Sequence, residues 1–234
     1  MTFKGLLMGA AAAVAIATGA QAADATQEQI ASKFDVAFGA AVTTQYVSRG
    51  VRQSDGFAVQ GYIEPSYGMF YAGVWASNVG PAVAPTAPST LEVDLYAGIR
   101  PTFGNLSLDF GYAQYLLNNG AGPAGEIYGK ASYAFNDVFT GGLELYQDVW
   151  NNATYGAVTG EVALPANFKL SAALGSNFTT GNVDWNAGVA YTFADTVTLD
   201  VRYHGTNGID DPAFGDRIIA TLSLDTAISK LIRH

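Results

Sequence analysis

The feature that most constrains this chain is a segment of about ten residues in which apolar and polar side chains alternate, repeated along the sequence. In 91–100 every aliphatic residue falls on one parity and every charge on the other, and 106–116 repeats the pattern. Because successive side chains of a strand point to opposite faces, this pattern predicts a sheet with one apolar and one polar face. Ten residues is also the length of a tilted strand that crosses a bilayer. The alternation alone therefore leaves two architectures, a soluble all-β domain and a membrane barrel.

The N-terminus contains the three parts of a secretory signal. Lys4 supplies a positive charge, residues 6–18 form an apolar stretch too short to span a membrane, and 20–22 is an A-x-A cleavage site. We therefore predict a cleaved signal peptide over 1–22, export through the inner membrane, and a polar periplasmic lead-in over 23–33. No later apolar run reaches the length of a transmembrane helix.

Composition narrows the functional classes. The chain has no cysteine and only 2 histidines, which excludes a disulfide framework and leaves few soft metal ligands, so we expect no metal and no cofactor. The formal net charge of −9 becomes −10 when Lys4 leaves with the signal peptide. An acidic surface does not neutralise phosphates, and we expect no binding to nucleic acid. Charged residues make up only 13%, against about 25% in soluble domains.

Twelve strands are predicted, and the connections between them alternate in length. Short turns follow every second strand, whereas most of the other links are longer. This arrangement is typical of an up-and-down outer-membrane barrel and is not expected of a Greek-key sandwich. We therefore predict an all-β, 12-stranded antiparallel transmembrane β-barrel over 34–224, followed by a C-terminal tail over 225–234. The predicted strands are 34–49, 58–67, 70–79, 91–100, 106–116, 126–135, 139–149, 154–164, 168–178, 183–193, 197–204 and 217–224.

The charges of these strands fall opposite the large aliphatic residues, together with Gly, Ala, Ser, Thr, Asn and Gln. A Lys or Arg that faces lipid at the midplane costs about 2–4 kcal/mol, which would enforce such segregation. We expect this face to line a lumen that holds more acids than bases, and rings of carboxylates favour cations. Lys169, Asp184 and Arg217 share the face. The residues predicted to line the lumen and set its selectivity are Asp35, Arg49, Glu64, Glu92, Asp94, Arg100, Asp109, Glu126, Lys130, Glu144, Asp148, Glu161, Asp200 and Arg202.

Aromatic residues gather near strand ends on the apolar face, as in the interfacial girdles of membrane barrels. Their enrichment in strands of any kind is the alternative explanation. Both faces of 70–79 are fairly apolar, and for this strand we predict that Trp75 points inward.

A family resemblance supports the barrel. The segment Tyr46-Val47-Ser48-Arg49-Gly50-Val51-Arg52-Gln53-Ser54-Asp55-Gly56, with Val59-Gln60-Gly61 after it, resembles the TorF family of porins, as do residues 71–79 and 91–98. The resemblance is specific over the first hundred residues and compositional beyond them. It implies an outer-membrane β-barrel of Gram-negative bacteria that forms a pore, and it brings no catalytic residues. The last strand does not end on an aromatic residue, which departs from a common pattern for recognition by the outer-membrane assembly machinery.

The sequence favours a porin-like channel for passive diffusion of small hydrophilic solutes or ions, weakly cation-selective and not an enzyme. Its expected partners are outer-membrane lipid and lipopolysaccharide, the assembly machinery, and small polar solutes or cations; the oligomeric state stays open. The first alternative is a non-conducting structural or adhesin-like barrel, and the loop 205–216 with Asp210, Asp211 and Asp216 would then hold Ca²⁺. The second is an outer-membrane lipid hydrolase that uses His204 and Ser48. The proline-rich loop 80–90 either constricts the lumen or caps its rim.

Overall fold

The computed structural model describes residues 34–80, 89–119, 124–207 and 213–232. These residues form β-strands and one short helix. The elements are β1 (Phe34–Thr43), β2 (Val47–Ser48), β3 (Val51–Arg52), β4 (Ala58–Tyr67), β5 (Phe70–Asn78), β6 (Leu91–Ile99), β7 (Thr102–Phe103), β8 (Leu106–Leu117), β9 (Ala124–Ala134), β10 (Phe139–Asp148), β11 (Thr154–Ala163), β12 (Phe168–Asn177), β13 (Val183–Phe193), β14 (Val197–Thr206), β15 (Arg217–Ala227) and α1 (Ile228–Leu231).

The twelve long strands close into a single antiparallel barrel. Each pairs with its neighbours in the order β1, β4, β5, β6, then β8 to β15. The last strand, β15, pairs with the first, β1, from Thr43↔Thr221 to Ala37↔Ala227, so the sheet has no free edge. The two-residue strand β7 only extends the turn before β8, and β2 and β3 form a separate hairpin within the loop between β1 and β4. The predicted twelve-stranded up-and-down barrel is confirmed.

The outer face of the barrel is apolar, as a membrane-spanning barrel requires. Large aliphatic side chains alternate with inward polar ones and stay exposed to the surroundings, for example Leu143 and Leu145 on β10 and Leu174 on β12. Aromatic side chains meet on this face at the short-turn end, where Phe168 contacts Tyr191 with ring centroids 4.7 Å apart. These contacts form one of the predicted interfacial girdles. The described part of the chain contains no helix with the length and apolar character needed to cross a membrane.

Two predicted strand limits were wrong by three residues or more, and the others agree to within two residues. The first strand ends at Thr43 instead of residue 49, because its partner β4 begins at Ala58, which pairs with Thr43. The chain beyond Thr43 has no partner on that side and turns inward. The last strand continues to Ala227 instead of stopping at 224, because its closing register with β1 extends that far. The barrel therefore takes three residues of the segment predicted as a tail.

The C-terminal helix is attached to the barrel through Asp35. The carboxylate of Asp35 on β1 accepts hydrogen bonds from the backbone N–H and the hydroxyl of Ser229. The Asp35 carboxylate therefore has a structural role, because it holds the helix against the barrel. The signal peptide and the lead-in, predicted over 1–22 and 23–33, lie outside the described residues.

Inward tyrosine rings lie flat over glycines of the neighbouring strand. Tyr128 on β9 faces Gly111 on β8 in register, and a Cβ at Gly111 would lie 2.5 Å from the Tyr128 hydroxyl oxygen and 2.7 Å from the carbonyl oxygen of Ala97. Gly39 on β1 is covered in the same way by Tyr62. Glycine at these positions lets a large ring pack along the barrel wall.

We expect Gly111→Ala to destabilise the barrel by about 1–3 kcal/mol, because the added methyl overpacks the interior. Gly160→Ala on β11 is the matched control, since a Cβ there meets no atom within 4 Å and its effect should stay within about 0.5 kcal/mol. Urea unfolding of the refolded protein in detergent, followed by heat-modifiable gel migration, measures both. Equal stability of the two variants would contradict the packing role of Gly111.

Candidate functional site

The candidate site is the interior of the barrel, and its outermost part is the β2–β3 hairpin. The hairpin belongs to the loop 44–57 and turns at Arg49 and Gly50, whose φ angles are 49° and 75°. Two central residues with positive φ are typical of the tight turn that joins hairpin strands. Gln53 donates its backbone N–H to the Tyr46 carbonyl (2.7 Å), and Ser54 Oγ accepts the Tyr46 N–H (2.8 Å), so the base of the hairpin is closed.

Arg49 at the tip of this hairpin is held by the opposite wall. Its Nη1 and Nη2 donate to Glu126 Oε1 and Oε2 on β9 at 2.6 and 2.8 Å. The guanidinium carbon lies 4.2 Å from the ring centroid of Tyr146 on β10 and 4.5 Å from that of Tyr155 on β11. Tyr115 on β8 donates a further hydrogen bond to Glu126 at 2.8 Å. The predicted position of Arg49 in the first strand was wrong, yet its side chain does point into the lumen.

Burial shapes the electrostatics of this outer cluster. The side chains of Arg49 and Glu126 are only 9% and 5% exposed. Burial alone lowers the pKa of Arg49, but the hydrogen bond and the charge of Glu126 outweigh it, so the net pKa rises and the guanidinium stays charged. Burial also raises the pKa of the Tyr46 phenol, and the carboxylates of Glu92 and Asp94 raise it further. Tyr46 therefore remains neutral beside these acids.

A second cluster lies nearer the short-turn end, around Arg100. Arg100 donates through Nη1 and Nη2 to Glu64 on β4 at 2.6 and 3.2 Å, and through Nε to Asp109 on β8 at 3.1 Å. Its guanidinium carbon lies 3.7 Å from the centroid of the Tyr71 ring. The Tyr71 hydroxyl donates to Asp109 and shares a hydrogen bond with the Tyr128 hydroxyl. The alternation in the sequence predicts that these charges share one face of the sheet, but it does not indicate which of them form ion pairs.

The wall from β12 to β15 carries a third group of polar contacts. Arg202 on β14 donates to Asp200 at 3.0 and 3.1 Å, to Asn186 on β13 at 2.7 Å and to Ser171 on β12 at 2.6 Å. Lys169 and Glu161 form a more exposed ion pair at 3.3 Å. Apart from these groups, the inward positions of this wall carry mostly small residues. One half of the interior is therefore filled by tyrosines, and the other half is lined by shorter side chains.

The remaining predicted lumen residues also point inward. Glu92 and Asp94 are buried on β6, and Lys130 on β9 lies in register with both Asp109 and Glu144. Tyr146 donates a hydrogen bond of 2.6 Å to Glu144. Asp148 has a structural role, because its carboxylate accepts hydrogen bonds of 2.8 Å from the backbone N–H groups of the following loop.

Trp75 is buried inside the barrel, as predicted, with its ring centroid 5.5 Å from that of Tyr46. Sequence reasoning missed Asp225, an inward residue of β15 whose carboxylate lies next to Tyr62 beside Gly39. Its parity matches Thr221 and Ser223, so extending the alternation past residue 224 would have found it.

Several predicted features cannot be placed in the fold. Most of the proline-rich loop 80–90 lies outside the described residues, and so do Asp210 and Asp211 of the acidic loop. In the described ranges, no group of three or more His, Asp or Glu side chains is arranged to hold a metal ion. Within the same ranges no hydrogen bond joins His204 to Ser48, which is part of the β2–β3 hairpin.

Comparisons with known proteins place the chain in a family and a fold. Residues 27–233 match the family described as bacterial protein of unknown function (Gcw_chp), and the chain belongs to this family. This description does not include the TorF name. A comparison with curated protein sequences found no match.

Solved outer-membrane barrels share the fold. The KdgM porin is 9% identical with a TM-score of 0.61, over 80% of this chain and 98% of that chain. The KdgM porin in complex with disordered oligogalacturonate is 8% identical with a TM-score of 0.57, over 82% and 97%. An active-site mutant of outer membrane phospholipase A from Escherichia coli is 12% identical with a TM-score of 0.50, over 81% and 89%. These TM-scores show a common barrel fold despite the low sequence identities. The proteins that share this fold include porins and a phospholipase.

We expect Arg100→Met to destabilise the barrel by about 3 kcal/mol, because it leaves the buried Glu64 carboxylate without its cation. The double variant Arg100→Met/Glu64→Gln should recover part of this loss. Lys169→Met is the matched control: its ion pair with Glu161 has side chains 34% and 46% exposed, so its loss should cost less than about 1 kcal/mol. Urea unfolding of the four proteins measures the differences, and an Arg100 effect no larger than that of Lys169 would refute the prediction.

Proposed function

We propose that this protein is an outer-membrane channel for passive diffusion of small hydrophilic solutes or ions. The observation that carries the proposal is a closed barrel whose outward face is apolar and whose inward face holds the charged side chains of its long strands. Such a wall separates a polar interior from lipid. Twelve strands enclose a wider interior than eight, which side chains just fill, and a narrower one than the sixteen strands of general porins. The shared fold of the KdgM porin supports this reading.

Weak cation preference is the selectivity that the interior favours. Arg49, Arg100 and Arg202 are each engaged by carboxylates, so their positive charge is largely compensated. Asp184 instead receives a hydrogen bond from the Tyr155 hydroxyl, and Asp225 lies next to Tyr62 beside Gly39, so neither carboxylate gains a positive charge from its tyrosine. Carboxylates that keep their charge along the lumen attract cations.

The same proposal includes the cellular location of the channel and its route to that location. The barrel would lie in the outer membrane in contact with its lipid and lipopolysaccharide, reach it through a cleaved signal peptide, and be inserted by the assembly machinery. Membership of the TorF porins is part of the proposal, and it is supported by the hairpin segment around Arg49 that carries the resemblance.

A non-conducting barrel is the second candidate, and the hairpin across the mouth favours it. A test of conduction should therefore include a barrel without this obstruction. Thr43 and Ala58 are register partners, so residues 44–57 can be replaced by an Asn-Gly turn that joins β1 directly to β4. We call this variant the hairpin-free barrel.

We expect the protein in planar bilayers under a KCl gradient to give a reversal potential of the sign produced by K⁺ permeation. The reason is the excess of uncompensated carboxylates over cations on the lumen wall. Single-channel recording of the wild type and the hairpin-free barrel measures it. Anion preference would overturn the proposed cation selectivity, and the lack of conductance from both proteins would overturn the proposed channel function.

An esterase assay of the wild type, with His204→Ala as the control, tests the alternative of a lipid hydrolase. Turnover that depends on His204 would support that alternative.

A further inference from the structure

The β2–β3 hairpin lies in the long-loop opening of the barrel and is connected to the opposite wall by Arg49. It starts between β1 and β4, and Arg49 at its tip binds β9, β10 and β11. In the strand order of the barrel, β10 lies opposite β1 and β11 lies opposite β4. The hairpin therefore extends into the lumen, and the Arg49 side chain connects it to the wall opposite its own strands.

The flanks of the hairpin are also in contact with the wall. On one side Tyr46 packs edge-on against Trp75, and Gly80 donates its N–H to the Gln53 carbonyl at 2.7 Å. At the tip, a Cβ on Gly50 would lie 2.6 Å from Thr206 Cγ2 and 2.8 Å from Asp184 Cβ, so the backbone touches β13 and β14. Arg52 donates its N–H to the Ala213 carbonyl at 2.7 Å. The hairpin is therefore held by contacts on both flanks and at its tip.

The barrel wall forms a specific binding site for the Arg49 guanidinium at the tip of the hairpin. A planar guanidinium receives a two-point carboxylate and two aromatic faces at once, which only arginine can use fully. Glu126 is oriented for this by the hydrogen bond from Tyr115. A surface loop that merely rested on the rim would not need a buried ion pair more than seventy residues apart in sequence. The wall is therefore shaped to hold the hairpin across the lumen.

We propose that the β2–β3 hairpin is the size-selecting element of the channel, and that Arg49 is the positioning residue that fixes it across the mouth. This inference rests on the proposed channel function and adds what limits the solutes. Hydrophilic solutes must pass the hairpin before they reach the polar wall of β12 to β15. Small ions and the smallest sugars pass beside the hairpin or when it is displaced. Larger sugars are excluded as long as Arg49 is bound to Glu126.

Four proteins test the proposal beside the wild type: the hairpin-free barrel, Arg49→Ala, Arg49→Lys and Arg52→Ala. Arg52→Ala is the matched control, because it removes the same charge from the same hairpin. The Arg52 side chain pairs with the exposed Asp55 at 3.1 Å, and the contact of Arg52 with Ala213 is made by its backbone N–H, which alanine keeps. Heat-modifiable migration first shows that each barrel is folded. Single-channel conductance in KCl and swelling of proteoliposomes in sugars of increasing size are then compared.

We expect the hairpin-free barrel to conduct severalfold more than the wild type and to admit larger sugars. Arg49→Ala should move in the same direction, with a greater effect on large sugars than on small ones. Arg49→Lys keeps the charge but loses the two-point contact and the planar stacking, so it should fall between Arg49→Ala and the wild type. Arg52→Ala should match the wild type.

The outcomes separate the two proposals. If neither the wild type nor the hairpin-free barrel conducts, the channel function fails. If both conduct with the same conductance and the same size limit, the channel stands and the hairpin is not its size-selecting element. If the hairpin-free barrel is wider but Arg49→Ala behaves like Arg52→Ala, Arg49 does not position the hairpin.

Discussion

A backbone that crosses the apolar part of a bilayer must find every hydrogen-bond partner within the protein, because lipid offers none. In this barrel the requirement is met by the pairing of β1 with β15, which removes the last free edge. The closing register explains why β15 runs to Ala227 and why the helix begins only there. Asp35 then holds the first turn of that helix. The end of β15 at Ala227 is thus determined by the closing register with β1.

Closure also decides where charges can lie. With lipid outside, the interior is the one place along the strands for ionised groups, and it is too narrow to hydrate all of them. The interior therefore satisfies its charges with one another, as in the Glu64 and Asp109 contacts of Arg100. Tyrosine fills the space between these pairs, and glycines such as Gly111 give its rings room against the wall. Charge pairing and ring packing are two results of the same limited volume.

The alternation of side chains was sufficient to predict the strands, because a membrane barrel imposes its period of two on nearly every residue of the wall. It was not sufficient for the segment 44–57. Arg49 keeps the parity of the inward Asp35, so residues 44–49 read as a continuation of the first strand. Whether a strand continues depends on the partner beside it, and β4 begins only at Ala58. For the same reason the sequence assigned Arg49 to the lumen but not to the hairpin that carries it there.

The pairing of charges changes what the acidic composition of the lumen means. A count of acids and bases treats every carboxylate alike, but Glu126 and Glu64 are compensated by arginines at 2.6 Å and contribute little field at a distance. Asp148 and Asp184 accept hydrogen bonds from neutral donors, which bring no compensating positive charge. The proposed cation preference therefore depends on the carboxylates whose partners are amides and hydroxyls. The acidic composition predicts its sign, and the hydrogen-bond partners indicate which carboxylates would produce it.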